Sequence, residues 1–335
     1  MSVVRHAIIT GTGHAVPSRL VTNDELSASL GEDIRPFVEG TLGIHQRFWC
    51  TGSESTATLA VAAARRALQA AGITPLDLQL IIIATDTPEF ISPPTASVVQ
   101  GELGALHAGT FDINAGCAGF VTALDTAWKF IRADERYRRI LVVGAYAMSK
   151  FLDVRDKKTV TIFADGAGAA VVEASDRAGV LASELFADGM LCMGLGVFAG
   201  GTRTPITHEV IDDGYQNHVR FVKKYPASVN EEGWPRIVRS VLGRIGKSER
   251  DVDHWMWTQV NRSSIAAVMA TLGEPMSKAH TVMGQWGYTG SACLPMALDD
   301  AKTKGLLKDG DLMVLTGSGA GLAMGCVAMT WRDAR

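Results

Sequence analysis

"ALQAAGITPLDLQLIIIAT" (Ala67–Thr85) and "VLGRIGKSERDVDHWMWTQ" (Val241–Gln259) are the two stretches whose likeness decides the fold. In each, a helical pattern ends at a glycine, Gly72 or Gly246. Five residues on stands an aspartate, Asp77 or Asp251, and then an apolar strand, "LIIIAT" or "HWMWTQ". Glycine is favoured just past a helix end because the backbone turns left-handed there. The copies are displaced by 174 residues, and the same displacement carries Cys117 in "FDINAGCAGF" (111–120) onto Ser291 in "WGYTGSACLPMAL" (286–298). Both are tight turns that open a helix. Each half also has a glycine-rich turn before an apolar strand, "ADGAGAAVVE" (164–173) and "GSGAGLAMGCVAMTW" (317–331). A repeat of this length predicts two related α/β units packed about a pseudo-two-fold axis. Non-alternating apolar strands predict sheets covered by helices on both faces. Chance similarity in alanine- and glycine-rich sequence is the alternative.

Composition limits the function classes. The 335 residues suffice for one large duplicated unit; 47% are hydrophobic, 20% are charged and the net charge is −3. No long basic run is present, which argues against nucleic-acid binding. The start, "MSVVRHAIITGTG", lacks the extended apolar region of a signal peptide. The longest uncharged run, Leu312–Met329, contains four glycines, Thr316 and Ser318, and predicts a turn with a buried strand rather than a membrane helix. Cysteines stand at 50, 117, 192, 293 and 326, an odd set without metal-ligand spacing. Reduced thiols, no metal site and a cytoplasmic location are expected. The segment from about Phe186 to Gly233, rich in Gly, His and Tyr, breaks the repeat and is expected to shape a pocket or an interface.

Cys117 is followed by "AGFVTALDTAWKFIRA", in which Phe120, Leu124, Ala127, Trp128 and Ile131 share one helical face. The cysteine therefore stands at a helix N-terminus, where free N–H groups and the helix dipole favour a thiolate and lower the thiol pKa. Its small neighbours leave room for substrate and let backbone N–H groups face a developing oxyanion. These ten residues fit a buried free cysteine equally well.

Resemblance tips the balance. "FDINAGCAGF" resembles the nucleophile turn of the β-ketoacyl-acyl-carrier-protein synthase III group of the thiolase superfamily, and the likeness covers nearly the whole chain. "TDTPEFISPPTASVVQGELGA" (85–105) is similar to that family's dimer-edge stretch, and "DKKTVTIFADGAGAAVVE" (156–173) to the turn closing its first half. "VDHWMWTQVNRSSI" (252–265) and "GQWGYTGSACLPMAL" (284–298) fall where its other active-site motifs belong. "GSGAGLAMGCVAMTW", with Gly319, resembles its last strand. The resemblance implies a thiolase-like α/β fold of duplicated α-β-α-β-α layered halves with mixed five-stranded sheets. The halves are 1–175, carrying the nucleophile, and 176–335. It also implies a homodimer, acting on acyl-CoA or acyl carrier protein with no resident cofactor. Cysteine takes an acyl group from a thioester; a malonyl thioester then decarboxylates and attacks it.

The second step usually relies on a histidine and an asparagine. The family's His-Gln-Ala-Asn reads "TQVN" here, so Thr258 stands in the histidine's place, and its Gly-Asn-Thr reads "GYT", so Tyr288 stands in the asparagine's. Thr258 and Tyr288 keep hydroxyl donors, and Gln259 and Gln285 are candidate amide donors. None is a good general base near neutral pH. His254 falls about 13 Å from Thr258 along a strand and reads as structural. For coenzyme A, the family's adenine-stacking tryptophan falls near Phe37, its following basic residue near Thr41, and its arginine at the pantetheine mouth at Lys157. Arg262 is a second candidate basic contact, although Lys157 and Arg262 fit equally as surface charges. Trp255, Trp257, Trp286 and Tyr288 are read either as an aromatic wall of an acceptor pocket or as core packing. The expected substrate-binding set is thus Phe37, Lys157, Gln259, Arg262, Trp286 and Gly319, with Cys117, Thr258 and Tyr288 at the reaction centre. Three functions are open: acyl transfer from Cys117 to a specialised acceptor, decarboxylating condensation with other donors, or a non-catalytic partner subunit.

Overall fold

The computed structural model describes residues 5–213, 217–223, 225–226 and 228–333. In the first half, strands β1 (His6–Ala15), β2 (Leu80–Ala84), β3 (Gly109–Ile113), β4 (Arg139–Tyr146) and β5 (Gly166–Ser175) form one sheet in the order β1-β5-β4-β2-β3. Helices α1 (Thr56–Ala71), α2 (Thr95–Leu103) and α3 (Gly119–Ala133) connect them. The chain crosses into a second sheet between Ser175 and Val180. There β6 (Val180–Ala187), β7 (His254–Trp257), β8 (Leu312–Gly319) and β9 (Ala323–Thr330) lie in the order β6-β9-β8-β7, with helices α4 (Val229–Arg244), α5 (Arg262–Leu272) and α6 (Cys293–Thr303).

The two sheets repeat one pairing scheme. β2 is parallel to β4, and β4 and β1 are antiparallel to β5. Likewise β7 is parallel to β8, and β8 and β6 are antiparallel to β9. Helix α3 touches strands of both sheets, and α6 packs on β1, β4 and β5 of one and β7 of the other. Helices α1 and α4 cover the outer faces, completing an α-β-α-β-α stack of the thiolase type. The duplication extends to single hydrogen bonds. Gly72 and Gly246 turn left-handed at φ 67° and 65°. After each, an aspartate carboxylate accepts a backbone N–H three residues upstream: Asp77 from Thr74 and Asp251 from Ser248, both at 2.8 Å.

One expectation is corrected: among the described residues the second sheet has four strands, not five. The counterpart of β3 is reduced to a single parallel bridge between Trp255 and Ala279. Side-chain bonding takes over the backbone there. Gln259 Nε2 donates to the His280 carbonyl at 3.1 Å, and its Oε1 accepts from the N–H groups of Val282 and Met283 at 2.7 and 3.0 Å.

The tryptophans resolve as core. Trp255 and Trp257 do share a face of β7, with ring centroids 5.5 Å apart, and Trp234 of α4 stacks on Trp257 at 5.1 Å. All three are buried. Such offset stacks contribute about 0.5–1.5 kcal/mol per pair beyond area burial. No described helix is long and apolar enough to cross a membrane.

Candidate active site

The backbone around Cys117 is held by glycines. Gly116 turns at φ 51°, and the N–H groups of Ala118 and Gly119 bond back to the carbonyls of Ala115 and Gly116 at 3.1 and 2.9 Å. Helix α3 then starts at Gly119 with no side-chain cap from Ala118, so the thiol stands at an uncapped N-terminus. The end of β8 presses on this turn from the other half. A Cβ at Gly319 would lie 2.2 Å from the Cys117 nitrogen, which no side chain tolerates, so Gly319 lets the two backbones meet.

Cys117 is buried from bulk solvent but lines a cavity with two lobes. One lobe, about 110 Å³, is mostly apolar and includes Val260, Tyr288, Ser318 and Gly319. The other, about 170 Å³, is more enclosed and includes Asp86, Asn114, Tyr146 and Met148. They meet at Cys117, Phe163, Leu195 and Ala320. The segment that broke the repeat supplies Leu195, Gly196, Val197, Val219, Phe221, Tyr225, Val229 and Asn230, so it does shape the pocket. Residues 214–216, 224 and 227 of that segment lie outside the described residues.

Electrostatics reverse the sequence expectation for the thiol. Burial pushes Cys117 well above the ordinary thiol range, the nearby Asp86 charge adds to this, and a hydrogen bond with the Tyr288 hydroxyl pulls the other way. Burial also raises Tyr288 and Tyr146, so both phenols are neutral donors. Burial thus opposes the helix dipole and favours the protonated thiol in the free protein.

The predicted residues divide into three groups. Cys117, Tyr288 and Gly319 converge on the cavity. Tyr288 is fixed there by backbone bonds to Ala164 and Ile162, at 2.9 and 3.3 Å, and by packing against Phe163. Gly287 makes this turn possible, since a Cβ on it would strike Ala164 and Arg47. Thr258 is buried one layer behind: its hydroxyl oxygen accepts the Ser318 N–H at 2.9 Å, and it does not line either lobe. Gln259 is occupied by the 280–283 loop, and Trp286 packs on His14 at 4.5 Å, away from both lobes. Neither therefore meets a ligand in the cavity, contrary to expectation. Phe37, Lys157 and Arg262 gather outside along residues 32–43. Phe37 is exposed, Lys157 pairs with Glu32 at 2.9 Å, and the Arg262 side chain lies against Gly43. An exposed pair such as Lys157–Glu32 contributes only about 0–1 kcal/mol, so an incoming anion can displace Glu32.

His254 pairs with Asp311 at 3.0 Å and His280 with Asp300 at 2.7 Å, which leaves both structural; among the described residues no histidine lines the cavity. Sequence reasoning missed Asp86, Phe163 and Asn230. Asn230 Oδ1 accepts from Ser318 Oγ at 2.8 Å, and the residue lines the apolar lobe. Asp86 carried a readable signal, being the first charge beyond the C-terminal end of a wholly apolar strand, where open α/β sheets place their ligands.

A cysteine at a helix start between two duplicated α/β halves fits the resemblance to the condensing enzymes of the thiolase superfamily. The sequence matches the family models for 3-oxoacyl-[acyl-carrier-protein (ACP)] synthase III at residues 111–189 and for its C-terminal part at 242–331. It is 35% identical over 324 residues to the β-ketoacyl-[acyl-carrier-protein] synthase III of Synechocystis sp. (strain ATCC 27184 / PCC 6803 / Kazusa), covering 96% of this chain and 97% of that protein. It is 36% identical to an acetoacetyl CoA synthase of Streptomyces sp. (strain CL190), covering 99% of this chain and 100% of that one. The crystal structure of the Pseudomonas aeruginosa PAO1 3-oxoacyl-(acyl carrier protein) synthase III superposes with a TM-score of 0.89 at 32% identity, over 98% of this chain and 99% of that one. The priming β-ketosynthase from the R1128 polyketide pathway gives 0.89 at 27%, over 99% and 98%. The chain belongs to the β-ketoacyl-acyl-carrier-protein synthase III family.

Proposed function

We propose that this enzyme carries an acyl group on Cys117 and passes it to a specialised acceptor. Cys117 Sγ attacks the carbonyl carbon of an acyl-CoA or acyl-carrier-protein thioester, forming the S–C bond. The donor's C–S bond breaks, and the thiol proton leaves with the departing thiol. In the second step a nucleophile on the acceptor displaces Cys117 and its proton returns to the sulfur. Backbone N–H groups of the Cys117 turn and of Gly319 beside it would stabilise the oxyanion in both steps.

The observation that carries this reading is the cavity itself: Cys117 faces it with the Tyr288 phenol, and no described lining residue is a histidine. In this reading Thr258 and Tyr288 stand where the family's histidine and asparagine are expected. Decarboxylation of a malonyl thioester then lacks its usual donors, and the loss of one such donor typically costs about 10²–10³ in rate. Decarboxylating condensation is the second reading. It is favoured by Asn230, whose amide borders the apolar lobe, and by the acetoacetyl CoA synthase relative. Phe37, Lys157 and Arg262 would receive the coenzyme A nucleotide or the carrier protein outside the lobe that contains Val260. Substrate thioesters supply the chemistry without a resident cofactor or metal, and all five free cysteines fit a reducing, cytoplasmic setting.

Intact-mass analysis with a panel of acyl thioesters tests the reading. One acyl adduct is expected on the wild type and none on Cys117→Ala; equal labelling of both proteins would overturn it. Carbon dioxide release from malonyl thioester as fast as acylation would favour the second reading. The enzyme is also proposed to be a homodimer through the β3 edge, beside which Phe90 and Ile91 are exposed. Light scattering should give twice the 35.7 kDa chain mass, and Ile91→Asp should shift it towards the monomer.

A further inference from the structure

Strand β2 is apolar and buried throughout, and two residues beyond its end Asp86 enters the wall of the enclosed lobe beside Cys117. Its Oδ1 is buried and has no hydrogen-bond partner. Among the described residues the buried aspartates are satisfied. Asp125 pairs with Lys129 and accepts from Ser183, and Asp165 accepts from the N–H groups of Cys50 and Ser149. Asp299 binds Thr12 and His14, and Asp300 binds His280 and Lys304. Asp86 instead lines the enclosed lobe, and no described lysine, arginine or histidine lines it. Burial raises its carboxyl to about 6, so near neutral pH it is mostly ionised and without a counter-charge.

The lobe's place in the reaction identifies what fills it. On that proposed function the thioester donor is received near Arg262, two residues along the chain from Val260, and enters through the apolar lobe that Val260 lines. Once bonded to Sγ, the acyl group must vacate that route for the leaving thiol and for the acceptor. The enclosed lobe on the other side of Cys117 is the space left to it, and at about 170 Å³ it suits a short chain. Resting on the reading of Cys117 as acyl carrier, we propose that Asp86 selects the acyl group: the preferred substrate is a short acyl thioester carrying a protonated amine a few bonds from its carbonyl. The ammonium supplies the donor and the positive charge that the protein withholds, while the apolar remainder packs on Met148, Phe163, Val197 and Val219. The neighbouring phenol of Tyr146 is neutral and offers no competing charge.

Three near-isosteric coenzyme A thioesters test this: 3-aminobutanoyl, 3-hydroxybutanoyl and 3-methylbutanoyl. The measurement is the rate of the Cys117 mass adduct with each. Wild type is expected to take 3-aminobutanoyl at least tenfold faster than 3-methylbutanoyl. Asp86→Asn should bring that ratio near one, and Asp86→Val should invert it. Thermal melting of both variants, at or above the wild-type temperature at pH 8, confirms that the changed ratio comes from a folded protein. Equal or faster reaction of 3-methylbutanoyl with wild type, a ratio unchanged in Asp86→Asn, or a preference for 3-hydroxybutanoyl over the amine each overturns the inference. Adducts from the apolar thioester alone would leave the acyl-carrier reading standing while removing this one; no adduct from any of the three removes both.

Discussion

The turns before α3 and α6 are the same piece of backbone used twice. Gly116 and Gly290 sit at φ 51° and 50°, and Ala118 and Ala292 both cap their helices at φ −82° without a side-chain bond. Between them stand Cys117 and Ser291. Ser291 is wholly buried: its hydroxyl donates to the Ala145 carbonyl at 2.9 Å, and Gly144 lets its backbone lie flat on β4. Cys117 faces a two-lobed cavity instead. Turn geometry and helix dipole are thus common to a packed residue and to one that lines a cavity. What separates them is the neighbour: a strand against Ser291, a cavity with Tyr288 and Asp86 against Cys117.

Exchanging the two residues' chemistry should produce the largest effect. Cys117→Ala is expected to lose the acyl adduct entirely, whereas Ser291→Ala keeps it and loses only about 1 kcal/mol of stability with the Ala145 hydrogen bond. Ser291→Cys in the Cys117→Ala background should remain unlabelled by mass; labelling there would show that the turn alone confers reactivity.

Next in size is the acceptor step. Thr258→His with Tyr288→Asn should raise release of labelled carbon dioxide from malonyl thioester by roughly 10²-fold if both donors reach the oxyanion site. Each single change should give little, because the two act on one site. Thr258 lies behind Ser318, so the histidine must project past that residue to act. No gain in the double variant would show that the pocket wall, and not the donors, limits the step.

The thiol's ionisation gives a smaller, graded effect. Because burial holds Cys117 well above its ordinary value, iodoacetamide alkylation should rise about tenfold per pH unit from 7 to 9 with no plateau. Tyr288→Phe removes the hydrogen bond that favours the thiolate and should slow alkylation several-fold at fixed pH. A plateau below about pH 8 would mean that the dipole outweighs desolvation.

Smallest is the stability effect of Asp86. Its folded carboxyl, at about 6, lies above the unfolded value near 3.9, so the folded state holds the proton more tightly. Stability is full below pH 4 and is lost as pH rises through 6. The titratable groups facing it, Cys117 and Tyr146, stay neutral in that window. Asp86→Asn cannot ionise, so calorimetry should show a melting-temperature gain of a few degrees at pH 8 and none near pH 4.

Local signals made the duplication legible. Gly72 with Asp77 and Gly246 with Asp251 act through bonds within a few residues, so sequence spacing records them directly. Cys117 at a helix start was legible for the same reason. The missing fifth strand was not, because it depends on Gln259 binding a loop more than 20 residues away. That Trp255 and Trp257 share a face follows from strand alternation; that the face meets Trp234 of α4 rather than a cavity is a long-range fact. The opposing effect of burial on the thiol was not legible, because helix polarity is local while desolvation sums over everything packed around the sulfur.

Gly319 presses on the Cys117 nitrogen from the far end of the chain. The ribosome reaches that glycine about 200 residues after the cysteine, a delay of roughly 10–40 s at ordinary elongation rates. Through that interval the chain holds the cysteine turn but not the strand end that packs against it.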